Sequence, residues 1–350
     1  MVAGAILVVG PLASGPGSGP QPWGTAAGSP QVLAGCSIPC LEVLGQSVLH
    51  RTIGRLLRSG VQPITVVADG AMASLVPRLA ARFVAFDASS SDSWPSVEST
   101  FAEYAHRGVE TVLLIRLGAY AELNFADLAR FHRQRTPCVT RAQDGDGPLD
   151  LWCITVSGCA TPSLRCMVVE PGETVGSYFV RGYVNRLATA YDLRRLAVDG
   201  LLARCSVRPG GREVRPGVWI EESAQVHRDA RIVPPAYIGH KSRLRAACLV
   251  TRHSNLERGA QVDYGTAIED STVLAHTYLG PGLDVAHAVV CGSHLVDLRR
   301  DLELEICDSK LIAGTSFSDN AVRSRAVSYL LALGGRWTTF RTPRGGALGR

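Results

Sequence analysis

The first candidate for chemistry is a loop. The strand-like burst AILVV ends at Gly10 and runs into PLASGPGSGPQPWGTAAGSP, with seven glycines and five prolines between residues 10 and 35. A glycine-rich loop after a strand offers backbone N–H groups to phosphate oxygens, which makes Gly10, Gly15 and Gly17 candidate phosphate contacts. No lysine or arginine precedes Arg51, however, and the chain has only two lysines, Lys241 and Lys310. Any mechanism needing a lysine in the N-terminal two-thirds is excluded. Phosphoryl transfer depends on positioning and positive charge, so two readings of the loop stay open. It holds a nucleotide or nucleotide sugar through backbone N–H groups, or it is a ligand-free connection.

The other reactive residue types point less sharply. Ten cysteines are spaced no closer than Cys36-x3-Cys40, Cys153-x5-Cys159 and Cys159-x6-Cys166, without a CxxC pair or a histidine partner at finger spacing. They read as small buried hydrophobes in a reducing compartment, not as a metal site. His227, His240, His253, His276 and His287 lie in the C-terminal half. A histidine there could serve as the base of an acyl transfer, or sit solvated beside a turn.

Two kinds of element must position these residues. Up to about residue 205 the chain alternates strand and helix: AILVV, VLHRTIGRLLRSG, ITVVAD, AMASLVPRLAARF, FVAFD, SVESTFAEYAHRG and VETVLLIRLG. That alternation predicts a mostly parallel sheet covered by helices on both faces, with ligands at the C-terminal ends of the strands. Past residue 215 the period changes to six. Ile220, Val226, Ile232, Ile238, Leu244, Val250, Leu256, Val262, Ile268 and Leu274 follow one another without a miss. Four residues after each of the first nine stands a small residue: Ala224, Ala230, Ala236, Ser242, Cys248, Ser254, Ala260, Thr266 or Thr272. Such a period suits a triangular coil of short strands, 18 residues per turn, with aliphatic residues inward and small residues at the corners. Ile220, Ile238, Leu256 and Leu274 are then expected on one face, with a slip at Leu279–Gly280 and a fading pattern after about residue 300.

Together these halves resemble the sugar-1-phosphate nucleotidyltransferases, or nucleotide-sugar pyrophosphorylases, over residues 3 to 300. SIPCLEVLGQSVLHRTIGRLLRSGVQPITVV is similar to the family's Lys-Pro-x-Leu-Pro-x-x-Gly-Lys-Pro-Leu segment with the helix and strand after it. LNFADLARFHRQRTPCVT resembles the stretch after the family's metal-binding aspartate, and RLATAYDLRRL its Asp-Ile-Gly-Thr-Pro-x-Asp segment. The resemblance implies a Rossmann-like nucleotidyltransferase domain (1–205), a left-handed parallel β-helix of hexapeptide repeats (214–305) and a partly flexible tail (306–350).

It also implies a nucleoside triphosphate on the loop, Mg between two aspartates and release of pyrophosphate. Carried over by position, Gly10, Gly45, Gly118, Thr189 and Asp192 match, but the cations and acids do not. Ile38 stands at the lysine of the Lys-Pro pair, Gln46 at a second cation, Ala119 at the first metal aspartate and Arg186 at the second. An alignment shifted by a few residues would bring in Glu122 or Asp127, or leave Asn185 as a weak ligand. No catalytic residue and no metal ligand is therefore assigned, and Mg is expected only if the site is intact.

The resulting expectation is a catalytically degenerate homologue in polysaccharide or cell-envelope precursor metabolism, regulatory or binding a nucleotide sugar. Gly10, Gly15, Gly17, Gly45, Gly118, Arg186 and Thr189 are its candidate ligand contacts, and Arg186 could replace a lost cation. A hexapeptide-repeat acyltransferase and a ligand-free oligomerisation scaffold are the alternatives. The expected partners are copies of this chain or an active homologue. With 36 basic against 31 acidic residues spread along 350, nucleic acid is not an expected partner. No apolar run nears the ~18 residues of a membrane span, and the N-terminus lacks a charged leader region, so a cytoplasmic protein without membrane insertion is expected.

Overall fold

The computed structural model describes residues 3–9, 32–33, 36–37, 40–70, 80–86, 92–135, 138–156, 164–169 and 175–315. Gly10, Gly15, Gly17, Ile38 and most of the helix predicted over AMASLVPRLAARF lie outside these. The chain divides into two compact units, one of 1–41 and 46–192, the other of 42–45 and 193–350. Among the described residues no helix is long and apolar enough to cross a membrane.

In the first unit the apolar run at the start forms β1 (Ala3–Val9), buried along its whole length. Helix α1 (Val48–Arg58) begins where the Ser47 hydroxyl accepts from the His50 N–H, and it buries Val48, Leu49, Ile53 and Leu56 on one face. Such a hydroxyl cap satisfies one of the free N–H groups of the first turn. β2 (Ile64–Asp69) and β3 (Arg82–Phe86) follow, then α2 (Trp94–His106), β4 (Thr111–Arg116), the short β5 (Tyr120–Ala121) and α3 (Phe125–Arg135). After them come β6 (Val139–Asp144), β7 (Gly147–Thr155), α4 (Leu164–Val169), β8 (Val175–Phe179), β9 (Val184–Asn185) and α5, which begins at Ala190.

Seven strands make one sheet in the order β8-β6-β7-β4-β1-β2-β3. All run parallel except β7, which is antiparallel to both β4 and β6. The chain winds outward from β1 through β2 to β3, then returns to place β4 on the other side of β1. Gly4 lets α2 approach β1, since a Cβ there would stand 2.7 Å from the Tyr104 ring. The Tyr104 hydroxyl shares a 2.7 Å hydrogen bond with Thr65 on β2. His132 on α3 is a core residue, its two ring nitrogens 2.8 Å from the Thr140 and Thr155 hydroxyls.

The second unit is a succession of short strands dealt in rotation into three ladders of parallel pairs. Residues 18 apart pair: Ile220 with Ile238 and Ile238 with Leu256, Val226 with Leu244 and Leu244 with Val262, Ile232 with Val250 and Val250 with Ile268. These side chains form one continuous apolar core. The next step corrects the sequence reading. Leu256 pairs with Val273, not Leu274, so the slip falls between Ile268 and Val273 rather than at Leu279. One residue fewer spans that corner, where Asp270 takes a positive φ of 47°. Ser271 then occupies the small buried position held by Ser254 one coil earlier, donating to the carbonyls of Glu269 and Val285. Thr272 moves outward, and from there residues 17 apart pair: Val262 with Leu279, Ile268 with Val285 and Val273 with Val290.

The ladder also ends differently from the fading expected of it. His294–Asp297 and Leu302–Glu305 reverse direction and extend one ladder antiparallel, and Ile312–Gly314 pairs antiparallel with Thr277–Leu279. Antiparallel closing strands occupy hydrogen-bonding edges that further coils would otherwise take.

Candidate functional site

The winding of the first unit fixes where a ligand belongs. In an open parallel sheet the crevice lies beyond the carboxyl ends of the two strands at which the chain changes direction, here β1 and β4. The Leu117 N–H donates to the Val8 carbonyl at 2.8 Å and carries the β1–β4 pairing to the end of both strands. At the end of β4, on the side of β7 and not of β1, lies a pocket whose wall includes Arg116, Gly118, Ala119, Ala121, Pro148, Asp150 and Arg186.

Each side chain is held from a different element. Arg55, near the end of α1, donates to the carbonyls of Ala121 and Leu123 and lies over the rings of Tyr120 and Phe125, which fastens the segment after β4. The same segment is paired through β5 with β9, joining Tyr120 to Asn185 and Ala121 to Val184. Arg186 therefore follows directly from the strand that faces Ala119's neighbours.

The charges of the pocket are guanidinium-bound carboxylates. Arg116 gives both Nε and Nη2 to Asp150 Oδ2, the Nε bond measuring 2.7 Å. The other oxygen of Asp150 accepts from Arg141 Nη2 at 3.2 Å, and Arg141 Nε donates to the Leu149 carbonyl. Burial holds the Arg141 guanidinium below its ordinary pKa, with Asp150 opposing that shift. Arg186 Nη2 donates to Asp144 Oδ1 at 2.5 Å and to the Gly147 carbonyl at 3.1 Å. Arg186 Nε is buried without an acceptor. Arg116 likewise has no protein acceptor for Nη1 among the described residues.

The residues singled out by sequence fall in three groups. Gly118, Ala119 and Arg186 share the pocket wall. Thr189 caps α5 instead: its N–H and hydroxyl both reach Asp192 Oδ2 at 3.2 Å. Gly45 lies in the other compact unit, where its N–H donates to Glu257 Oε2 at 2.9 Å. A Cβ at Gly45 would stand 2.5 Å from the Tyr237 hydroxyl, and φ is +89°, so glycine is required there by the turn. Arg186 was expected to offer a free cation, but its η nitrogens are engaged by Asp144 and two backbone carbonyls.

The shifted alignments fare no better. Glu122 accepts from the Tyr120 hydroxyl, Asp127 binds Arg130 and Tyr178, and Asn185 bonds its own turn. None of the three lines the pocket. The residues do not fit a divalent cation between paired carboxylates. The pocket wall carries Asp150 alone among acids, and it is bound by Arg116 and Arg141; among the described residues no group of three His, Cys, Asp or Glu is disposed to hold a metal ion. Sequence reading missed Arg116, Arg141, Asp144 and Asp150. Their signals were an arginine closing the apolar run VLLIR and the aspartates of QDGDGPLD.

In the second unit a buried carboxylate organises the turn at residues 42–45. Glu257 is fully buried and accepts from the N–H groups of Leu44 and Gly45, at 2.7 and 2.9 Å, and from Asn255 Nδ2 at 2.7 Å. Burial pushes its pKa up to about 7, against these donors. Arg194 reaches the His253 carbonyl, Asn255, Thr272 and Asp270, whose carboxylate also meets His287 Nδ1 at 2.7 Å.

No protein-family model matches the chain. Among curated proteins it is 29% identical over 104 residues to a UTP–glucose-1-phosphate uridylyltransferase of Synechocystis sp.. That stretch is 29% of this chain and 27% of the relative, so the match spans little more than a quarter of that protein's length. At this coverage the comparison supports a general nucleotidyltransferase-like reading.

Proposed function

We propose that this chain is a sugar-1-phosphate nucleotidyltransferase-like protein that binds a nucleotide sugar without turning it over, a pseudoenzyme of nucleotide-sugar metabolism. The observation that carries the reading is the pocket at the end of β4, beside β7, walled by Ala119 and Arg186 where metal-assisted pyrophosphorolysis needs two carboxylates. Partial similarity to a uridylyltransferase supports the ligand class. On this reading the second unit is a left-handed β-helix of hexapeptide repeats, and it serves assembly with further copies or with an active homologue. Loss of charged groups from a phosphoryl-transfer site costs on the order of 10²–10³ in rate for each element lost.

Purified protein given nucleoside triphosphates, Mg and sugar 1-phosphates is expected to release no pyrophosphate above background. A nucleotide sugar is expected to raise the melting temperature. Robust pyrophosphate release, or the absence of any shift at millimolar nucleotide sugar, overturns the proposal.

A second reading has one observation in its favour. The His287–Asp270 pair has the geometry of an oriented base, as an acyltransferase would need. Asp270 is shared with Arg194, however, and that arrangement serves the corner of the coil equally well. A melting-temperature shift with acyl-coenzyme A and none with nucleotide sugars selects this alternative.

A further inference from the structure

We propose that the pocket at the end of β4, beside β7, binds a phosphoryl group without a metal ion, on the free edge of Arg116, with Asp150 acting as the internal counter-ion that the phosphate partly displaces. This deepens the reading above and rests on it for the rest of the ligand, though the phosphoryl site itself is argued from the arginines.

Arg116 directs two of its three nitrogens to a single oxygen of Asp150, and the second oxygen of that carboxylate serves Arg141. Arg116 therefore shares its counter-charge. Its side chain is 23% exposed and that of Asp150 11%, so the pair is poorly solvated and Coulomb interactions there are stronger than in water. Nη1 remains, on a residue that lines the pocket, as a donor with no acceptor among the described residues. Arg186 adds a second guanidinium to the same wall, with its Nε buried and unsatisfied. Buried donors without partners are costly, and a planar guanidinium fork matches phosphate oxygens.

A site whose cations are arginines held by aspartates has no use for Mg to neutralise a phosphate. It selects phosphates and diphosphates over uncharged sugars.

The test is calorimetric titration of the full chain with inorganic pyrophosphate and with inorganic phosphate, in EDTA, at low and at physiological salt. Saturable binding that weakens with salt is expected. Arg116→Gln is expected to weaken it on the order of tenfold to a hundredfold, the usual span for a charge-assisted hydrogen bond, while Arg107→Gln, an exposed arginine paired with Glu103, leaves it unchanged. Asp150→Asn removes the competing carboxylate and is expected to tighten pyrophosphate binding several-fold. An arginine that merely stitches β4 to β7 predicts the opposite, a loss of stability with no gain in binding. If Arg116→Gln does not fold, Asp150→Asn carries the test alone.

No saturable binding at millimolar pyrophosphate, or binding indifferent to both variants, overturns the inference. A parallel titration with a nucleotide sugar separates the two claims. Pyrophosphate binding without nucleotide-sugar binding leaves the phosphoryl site standing and removes the function proposed above. Nucleotide-sugar binding that survives Arg116→Gln, with no pyrophosphate binding, does the reverse.

Discussion

Arg194, buried at the corner of the coiled strands, and Arg116, half-buried at the pocket of the sheet, both face an aspartate, yet they are built differently. Arg194 is 6% exposed at its side chain and spreads its η nitrogens over four acceptors on neighbouring coils: a carbonyl, an amide oxygen, a hydroxyl and a carboxylate. Arg116 concentrates two nitrogens on one oxygen and leaves a third without an acceptor among the described residues. The Nε of Arg194, like that of Arg186, is buried without an acceptor among the described residues, so the difference lies in the η nitrogens, which a guanidinium holding backbone in place keeps engaged. An arginine left with a free edge beside a pocket is one that still has something to bind. The same chain uses arginine as a clamp in one unit and, on this account, as a receptor in the other.

The largest effect tests the interior that Arg194 braces. Val250 is fully buried in the ladder between Ile232 and Ile268, so Val250→Asp places a carboxylate where neither water nor a donor reaches it. A loss of several kcal/mol, about 4 or more, is expected in denaturant unfolding. A variant as stable as the parent would remove the inward ladder from the account.

Arg194→Met comes next. It strips Asp270, Asn255 and Thr272 of a shared donor, and a loss of about 2–4 kcal/mol is expected, toward the lower end because Asp270 is partly exposed. Arg116→Gln sharpens the comparison, since it is expected to cost only about 1 kcal/mol of stability while impairing ligand binding. Equal stability losses in the two variants would erase the distinction between clamp and receptor.

A pH effect separates the units further. The Glu257 carboxyl ionises near pH 7 in the fold and near 4.5 when unfolded, because burial outweighs its three donors, and Glu42 beside it is raised in the same direction by burial despite Arg258. An acid with a raised pKa adds stability that is fully present below about pH 4.5 and is lost as the pH climbs through 7. The Glu257 contribution is at most about 3 kcal/mol across that window. Glu257→Gln is expected to flatten this part of the stability profile, measured as denaturation midpoints from pH 5 to 8. An unchanged slope would mean that the turn at 42–45 holds Glu257 ionised throughout.

How much of this was legible beforehand depends on the range of the interaction. The period of six is local, so the ladder from Ile220 to Ile268 could be read directly. The shortened corner could not, because Thr272 and Leu274 satisfy the six-residue pattern as well as Ser271 and Val273 do. Only the pairing of Leu256 with Val273 reveals the missing residue. The alternation of strands and helices was legible for the same local reason, and Gly118, Ala119 and Arg186 came to one pocket as positions matched by eye. Arg116 and Asp150 stand 34 positions apart and meet only because β7 inserts beside β4, which the order of elements along the chain does not disclose. Gly45 read as a candidate ligand contact, whereas its conformation answers to Glu257, more than 200 residues away.

The central claim is that the pocket receives a nucleotide sugar on arginines, with no metal required. Its most direct measurement is the melting temperature of the full chain with a nucleotide sugar, in EDTA and again in excess Mg. The account predicts a rise in EDTA that follows RT ln(1 + [L]/Kd), about 2.7 kcal/mol of stabilisation at a hundredfold excess over Kd, unchanged by Mg and lost in Arg116→Gln. A rise that appears only when Mg is added would contradict it.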